Sequence, residues 1–226
     1  PTLFYIVFPA GIWEKGFTVE VYGADNTTII DTFVTTKTFT FESTNATMMA
    51  AKEVTVLPEY VDLGLSVKWA TFNIGATSPE EYGDYFAWGE TEPKETYDNY
   101  NSLTYGLSIL DLESQGYIDS KGNLTPSHDA ARANWGGNWR MPTEEEVEDL
   151  KIECIWEWTT QNGVYGYKVA SKKSGYTNKS IFLPAAAGYR SGSSLNYAGS
   201  YGYYWSSSLS TDSPSGAWLV FFDSDD

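Results

Sequence analysis

The chain has a single cysteine, Cys154, and a single histidine, His128, in 226 residues. One cysteine excludes an internal disulfide and a two-cysteine redox pair, and one histidine excludes a metal site built on several histidines of the same chain. Basic residues are scarce as well, with 14 Lys and Arg against 30 Asp and Glu and a formal charge of −16. Phosphate recognition needs Lys or Arg, so nucleic acid is not an expected partner. Polybasic attachment to a membrane surface fails on the same ground. No run approaches the ~20 apolar residues that cross a bilayer; even the longest, such as Leu3 to Phe8, has the length of a strand. Gly-x-Ser-x-Gly elbows, Walker sequences and dinucleotide fingerprints are also missing. What remains, 42% hydrophobic residues with 16% aromatics, is enough to pack one large domain or two small ones and argues against disorder. The sequence starts at Pro1 without Met or a signal peptide and reads as a fragment of a longer protein.

Residues 1–57 read as β-rich. Leu3 to Phe8 is a buried-strand run ending at Pro9-Ala10-Gly11, Phe17 to Tyr22 alternates with period two, Ala24-Asp25-Asn26 supplies a turn, and Thr38 to Phe41 and Val54 to Val56 are further short strands. The composition shifts near Pro58, with Glu59 to Gly64 as connector and Ser66 to Ala70 as the first strand of a second domain, 58–226. Thr125 to Ala133 predicts a short helix opened by Thr125 or Ser127. Thr143-Glu144-Glu145-Glu146 is a capping box, and Val147, Leu150 and Cys154 follow at helical spacing. Glutamates at the positive end of the helix dipole suit capping rather than catalysis. Ile155 to Thr159 and Val164 to Val169 flank Gln161-Asn162-Gly163 and predict a hairpin. Ser180 to Leu183, Tyr203 to Ser206 and Ala217 to Phe222 are the last strands, which makes the domain α+β with an antiparallel sheet and long loops.

Phe4 to Gly11, Gly16 to Val21 and Thr38 to Met48 resemble the closing half of a fimbrillin-type β-sandwich domain of Bacteroidetes surface proteins. Asp62 to Ala70, Tyr82 to Glu90, Trp135 to Thr143 and Gly202 to Ser208 resemble the Fibrobacter succinogenes major paralogous domain. That domain is similar in turn to the C-type lectin-like fold of the formylglycine-generating enzymes, whose Arg-Leu-Pro-Thr-Glu helix entry corresponds to Arg140-Met141-Pro142-Thr143-Glu144. The resemblance implies two helices, a small twisted sheet and a ligand face made of loops. It also implies a final strand with an Arg-Pro sequence, where this chain has Asp223-Ser224-Asp225-Asp226, so the C-terminus reads as truncated. The enzymatic relatives use paired cysteines for copper or three histidines for iron, and neither set exists here. No catalytic residue, metal ligand or cofactor is therefore expected. Cys154 reads as a small core residue and His128 as structural or solvated. Structural calcium, which needs only oxygen ligands, stays open, although Asp223 to Asp226 lacks the glycine and glutamate of an EF-hand loop.

Tyr189 to Phe222 contains nine aromatics, ten serines and only two charges, Arg190 and Asp212. Tyr and Trp offer contact area at small entropy cost and Ser adapts its hydrogen bonds, as in an antibody paratope. An almost uncharged stretch in so acidic a chain is a candidate contact surface. Tyr204, Trp205 and Trp218 sit in strand-like runs and are expected in the core, whereas Tyr197, Tyr201 and Tyr203 alternate with Gly and Ser and are expected to be exposed. The expected ligand-binding set is Arg190, Ser191, Ser193, Ser194, Asn196, Tyr197, Ser200, Tyr201, Tyr203, Asp212 and Ser213. Most of these residues, with Ser210 and Asp223, are types reachable from an AAC or AAT codon by changing adenines, the manner in which retroelement-diversified lectin-like proteins vary.

The resulting expectation is a secreted adhesin or ligand-binding protein at the outer cell surface, with a protein or glycan ligand and with pilus or surface assembly through the N-terminal module. It is not expected to be an enzyme. A carbohydrate-processing hydrolase with paired carboxylates and a purely structural surface subunit are the alternatives.

Overall fold

The computed structural model describes residues 57–187, 190–210 and 216–225, together with four strands nearer the N-terminus. The chain divides into two compact units, Pro1–Leu57 and Pro58–Asp226. In the first, β1 (Gly11–Trp13) pairs antiparallel with β4 (Phe39–Phe41), and β2 (Phe17–Tyr22) pairs with β3 (Ile29–Thr35). The alternating Phe17 to Tyr22 run is a strand as its pattern requires. β3 was not read from the sequence, although the β-branched run Ile29-Ile30 to Val34-Thr35 carries the signal. The expected strands Leu3 to Phe8 and Val54 to Val56 and the Ala24 to Asn26 turn lie outside the described residues.

The second unit mixes short helices with small antiparallel sheets. β5 (Tyr60–Val61) pairs with β6 (Trp69–Ala70), so the expected connector itself contributes a strand and the expected Ser66 to Ala70 strand is reduced to its last two residues. Among the described residues three helices follow rather than two: α1 (Ile109–Ser114), α2 (Ala130–Trp135) and α3 (Glu144–Glu153). α1 has no apolar stripe, since only Leu112 is buried, but its N-terminus is held by a Ser108/Asp111 capping box. α2 starts later than Thr125 or Ser127. The Thr125 hydroxyl is committed to the Gly116 carbonyl at 2.6 Å, and Asp129 caps the helix instead. The Asp129 carboxylate, 3% exposed, accepts from the Arg132 N–H at 2.9 Å and the Met141 N–H at 2.8 Å, which ties the helix start to the chain entering α3. Burial pushes this carboxyl above its ordinary value, against the pull of those backbone donors.

α3 carries the capping box in both directions between Thr143 and Glu146, and Val147 and Leu150 face the interior. Cys154 is buried but is not helical; it opens β7 (Cys154–Gln161) opposite Ser171, because the backbone has already turned extended there. Burial raises the Cys154 thiol, consistent with packing rather than reactivity. Asn162 and Gly163, both at positive φ (49° and 83°), make the two-residue turn from β7 to β8 (Val164–Ser171), and β9 (Ser180–Pro184) completes the three-stranded sheet β7-β8-β9. α3 and this sheet enclose a first core around Leu63, Leu150, Val169, Ile181 and Phe222. A second core gathers Trp88, Leu112, Ile118, Leu124 and Leu209.

β10 (Arg190–Ser191) and β11 (Ser194–Leu195) form a small hairpin, and β12 (Tyr201–Leu209) pairs with β13 (Ala217–Asp223). The β12–β13 pair reaches both cores, through Val220 and Phe222 on one side and Leu209 on the other. Between Trp205↔Leu219 and Leu209↔Ala217 the register shifts, and the displaced residues are Ser206, Ser207 and Ser208. Their polar groups turn to other elements. The Ser206 carbonyl accepts the Trp88 indole N–H at 2.9 Å, the Ser207 backbone exchanges with Leu124 and Pro142, and the Ser208 hydroxyl accepts the first N–H of α3, from Glu144, at 3.0 Å while donating to Asn123.

Arg140 grips Glu146 with both guanidinium nitrogens, at 2.8 and 2.5 Å. Burial pushes the Glu146 carboxyl up, but Arg140 and the Thr143 donors outweigh it and hold the group below its ordinary 4.5. A depressed carboxyl stabilises the fold above its unfolded value and loses that contribution as pH falls through its folded value. Glu146→Gln is therefore expected to be less stable than the parent at pH 7, with the gap closing below about pH 4.5. Urea unfolding across pH checks this; a gap unchanged down to pH 3 contradicts it.

Candidate functional site

β12 and β13 alternate along the regular part of their ladder, from Tyr201↔Asp223 to Trp205↔Leu219. Gly202, Ser206, Val220 and Phe222 are buried, while Trp205 and Phe221 are exposed at 38% and 43%, and Tyr201, Tyr203 and Leu219 are partly exposed. Register places Tyr203 opposite Phe221, Tyr201 opposite Asp223 and Trp205 opposite Leu219, so these six share the outward face.

What fixes this parity is Gly202. It stands opposite Phe222, and a Cβ there would lie 2.1 Å from the Phe222 ring. The bare backbone lets that ring lie flat across the strand and pack inward on Tyr167 (centroids 5.1 Å), Tyr204 (5.9 Å) and Trp156 (6.2 Å). Tyr204 follows it inward: its hydroxyl donates to the Pro184 carbonyl at 2.6 Å, and burial pushes its phenol well above the usual range.

On the other face the rings form a continuous chain. Tyr197 meets Tyr201 edge-on at 4.9 Å, Tyr201 lies 6.4 Å from Tyr203 and 5.8 Å from Phe221, and Tyr203 lies 4.9 Å from Phe221. Tyr197 is 63% exposed and sits at φ +64°, a left-handed conformation that costs a bulky residue energy. Its carbonyl accepts the N–H groups of both Ser200 and Tyr201, and this turn hands the chain to β12. Burial raises the Tyr203 phenol, and the neighbouring Tyr201, Tyr197 and Asp223 add to the effect.

Of the sequence-predicted residues, Tyr197, Tyr201 and Tyr203 are thus brought together, with Ser200 exposed beside them. Ser193 and Ser194 lie exposed on a different structure, the β10–β11 hairpin, which is bonded through Gly192 to Tyr97. Asn196 is half-buried between the two. Arg190 and Ser191 form β10, paired with Leu195 and Ser194. Asp212 and Ser213 lie outside the described residues. Two core expectations are corrected: Trp205 and Trp218 are exposed at 38% and 37%. Trp205 falls on the outward side of the alternation, whereas Trp218 shares the parity of Val220 and Phe222 and lies where the ladder is interrupted, between Leu219 and Ala217. Phe221 was missed, and the signal for it was the Gly202–Phe222 pairing that turns its neighbour inward.

A second feature had no counterpart in the sequence reading. A half-open cavity of about 1000 Å³ is lined by Phe72, Trp135, Trp139, Arg140 and Asp84, and by Tyr203 and Trp205 of β12. Trp135 and Trp139 meet at 5.4 Å, with Phe72 edge-on to Trp135 at 6.4 Å.

His128 stacks on Tyr117 at 4.1 Å and places Nδ1 3.2 Å from the Gly89 carbonyl, which is a packing role. Among the described residues, no group of three or more His, Cys, Asp or Glu side chains converges as metal ligands would. Near the C-terminus the Asp223 carboxylate accepts the Asp225 N–H in a local turn. No helix among the described residues is long and apolar enough to cross a membrane. Comparison with known proteins returned no family model, no curated protein and no solved structure that matches the chain.

Gly202→Ala is expected to push the Phe222 ring off the strand and cost about 1–3 kcal/mol, read by denaturant unfolding. A variant as stable as the parent would remove the stated cause of the alternation.

Proposed function

We propose that this chain is a non-catalytic ligand-binding protein of the cell-surface adhesin kind, and that the outward ring face of β12 and β13 is its contact surface. The observation that carries the reading is the linked row Tyr197, Tyr201, Tyr203 and Phe221, held at 4.9 to 6.4 Å from one another and partly open to solvent. Each such ring presents ~150–250 Å². Tyr is favoured at binding hot spots because it brings area with few rotatable bonds. Only Asp223 brings a formal charge to the six residues of this face, in a chain of net charge −16. A partner would be held by shape and ring contact, either as a protein or as a glycan whose C–H faces stack on Tyr while its hydroxyls meet Ser200 and the serines of the β10–β11 hairpin.

The finer architecture we propose is a C-type lectin-like head, on the motifs Tyr82 to Glu90 and Trp135 to Thr143, preceded by part of a fimbrillin-like module that serves surface or pilus assembly. Secretion to the outer surface, and diversification of Ser191 to Ser213 by adenine-directed change, belong to the same reading.

The test is a binding screen of the full chain against immobilised glycans and extracellular protein domains, run beside an assay for newly released reducing ends. Saturable binding without hydrolysis is expected. Tyr197→Ala combined with Phe221→Ser is expected to weaken it about 10- to 100-fold without changing the melting temperature. Turnover of a glycan, or undiminished binding by the double variant, would overturn the reading.

A further inference from the structure

We infer that the aromatic cavity is a second binding site, which adjoins the outward ring face at Tyr203 and Trp205, and that it takes an uncharged pyranose, the terminal ring of a neutral saccharide. Its volume of about 1000 Å³ stands at the upper end of ligand cavities, roughly 300–1,000 Å³. Its inner wall reaches core residues such as Trp88, Leu112 and Leu150, but three of its rings are not core filling. Phe72, Trp135 and Trp139 belong to neither hydrophobic core, and all three are only partly buried. They pack on one another instead, with Trp135 at 83° to Phe72 and 67° to Trp139. Rings nearly perpendicular to one another make a corner, in which a flat ligand can lie against one face while its edge meets another.

Charge narrows the class. The guanidinium of Arg140 on this wall is already spent on Glu146 through two bonds, and the Lys68 ammonium rests over the Tyr60 ring at 4.1 Å. The Asp84 carboxylate lines the same space. An anionic ligand would therefore meet the acidic residues Asp84 and Asp98 and two cations already engaged, Arg140 in an ion pair and Lys68 over a ring, in a chain that already carries −16. A neutral ligand with an apolar face and several hydroxyls meets complementary groups: ring faces for its C–H surface, the Asp84 carboxylate as acceptor, and the exposed Asn138 amide, which lies on the lining between Trp135 and Trp139 in sequence. A pyranose has that combination.

The full chain is titrated with the methyl glycosides of glucose, galactose, mannose and N-acetylglucosamine, with choline and benzoate as cationic and anionic controls. Tryptophan fluorescence and saturation-transfer NMR follow binding. Saturable binding of at least one glycoside is expected, with neither control binding. Trp139→Ala is expected to weaken it at least about tenfold, and Asn138→Ala, an exposed change that leaves the cores untouched, about three- to tenfold. The Tyr197→Ala/Phe221→Ser variant is expected to bind these glycosides as the parent does, so loss of the outer surface and loss of the cavity are read separately. The inference is overturned if no glycoside saturates, if choline or benzoate binds instead, if both the Trp139 and Asn138 variants bind as the parent does, or if the outer-face variant alone abolishes binding.

Discussion

The second unit depends on three consecutive serines leaving a β-ladder. Two extended strands, β12 and β13, could pair along their whole length and would then serve one hydrophobic core. The register shift at Ser206 to Ser208 interrupts them, and the freed backbone and hydroxyl groups reach Trp88, Leu124, Pro142 and Glu144. Ser206 and Ser207 are almost wholly buried, at 0% and 4% exposure, so these polar groups would be costly without their partners. Side chains this short allow the close approach. One strand pair thereby holds the cap of α3 and the loop before α2, and delivers Leu209 to one core while Val220 and Phe222 stay in the other.

A strand fixed at that point has no freedom of parity. Because successive side chains alternate in direction, placing Phe222 and Tyr204 inward obliges Tyr201, Tyr203 and Phe221 to face out. The outward rings are thus a consequence of the interior arrangement, and Gly202 is the residue at which both requirements meet. The cavity adjoins the same strand at Trp205 and Tyr203, so the proposed contact surface and the proposed saccharide site share a rigid support, Tyr197 and Phe221 belonging to the first and Phe72, Trp135 and Trp139 to the second.

Much of this was legible in the sequence where local rules act alone. The Thr143 capping box, the Asn162-Gly163 turn and the strands Ser180 to Pro184 and Ala217 to Asp223 follow from patterns a few residues long. Illegible features depend on partners distant in the chain. Trp205 has core composition and yet faces outward, because parity is set across the ladder by Gly202 and Phe222, and Trp218 is exposed where that ladder is interrupted. The start of α2 at Asp129 rather than Ser127 depends on the Met141 N–H, twelve residues away. The cavity gathers Phe72, Trp135 and Tyr203 from three separate segments, and no local spacing announces it.

The β12–β13 pair and the turn that leads into it must send Tyr197, Tyr203 and Phe221 to solvent as an open surface and Tyr204 and Phe222 inward. Hydroxyl-radical footprinting of the free chain, with oxidation read residue by residue by mass spectrometry, addresses this directly. Rapid oxidation of Tyr197 and Phe221 with strong protection of Tyr204 and Phe222 is the result the structure requires; protection of Tyr197 and Phe221 together with ready oxidation of Phe222 would contradict it.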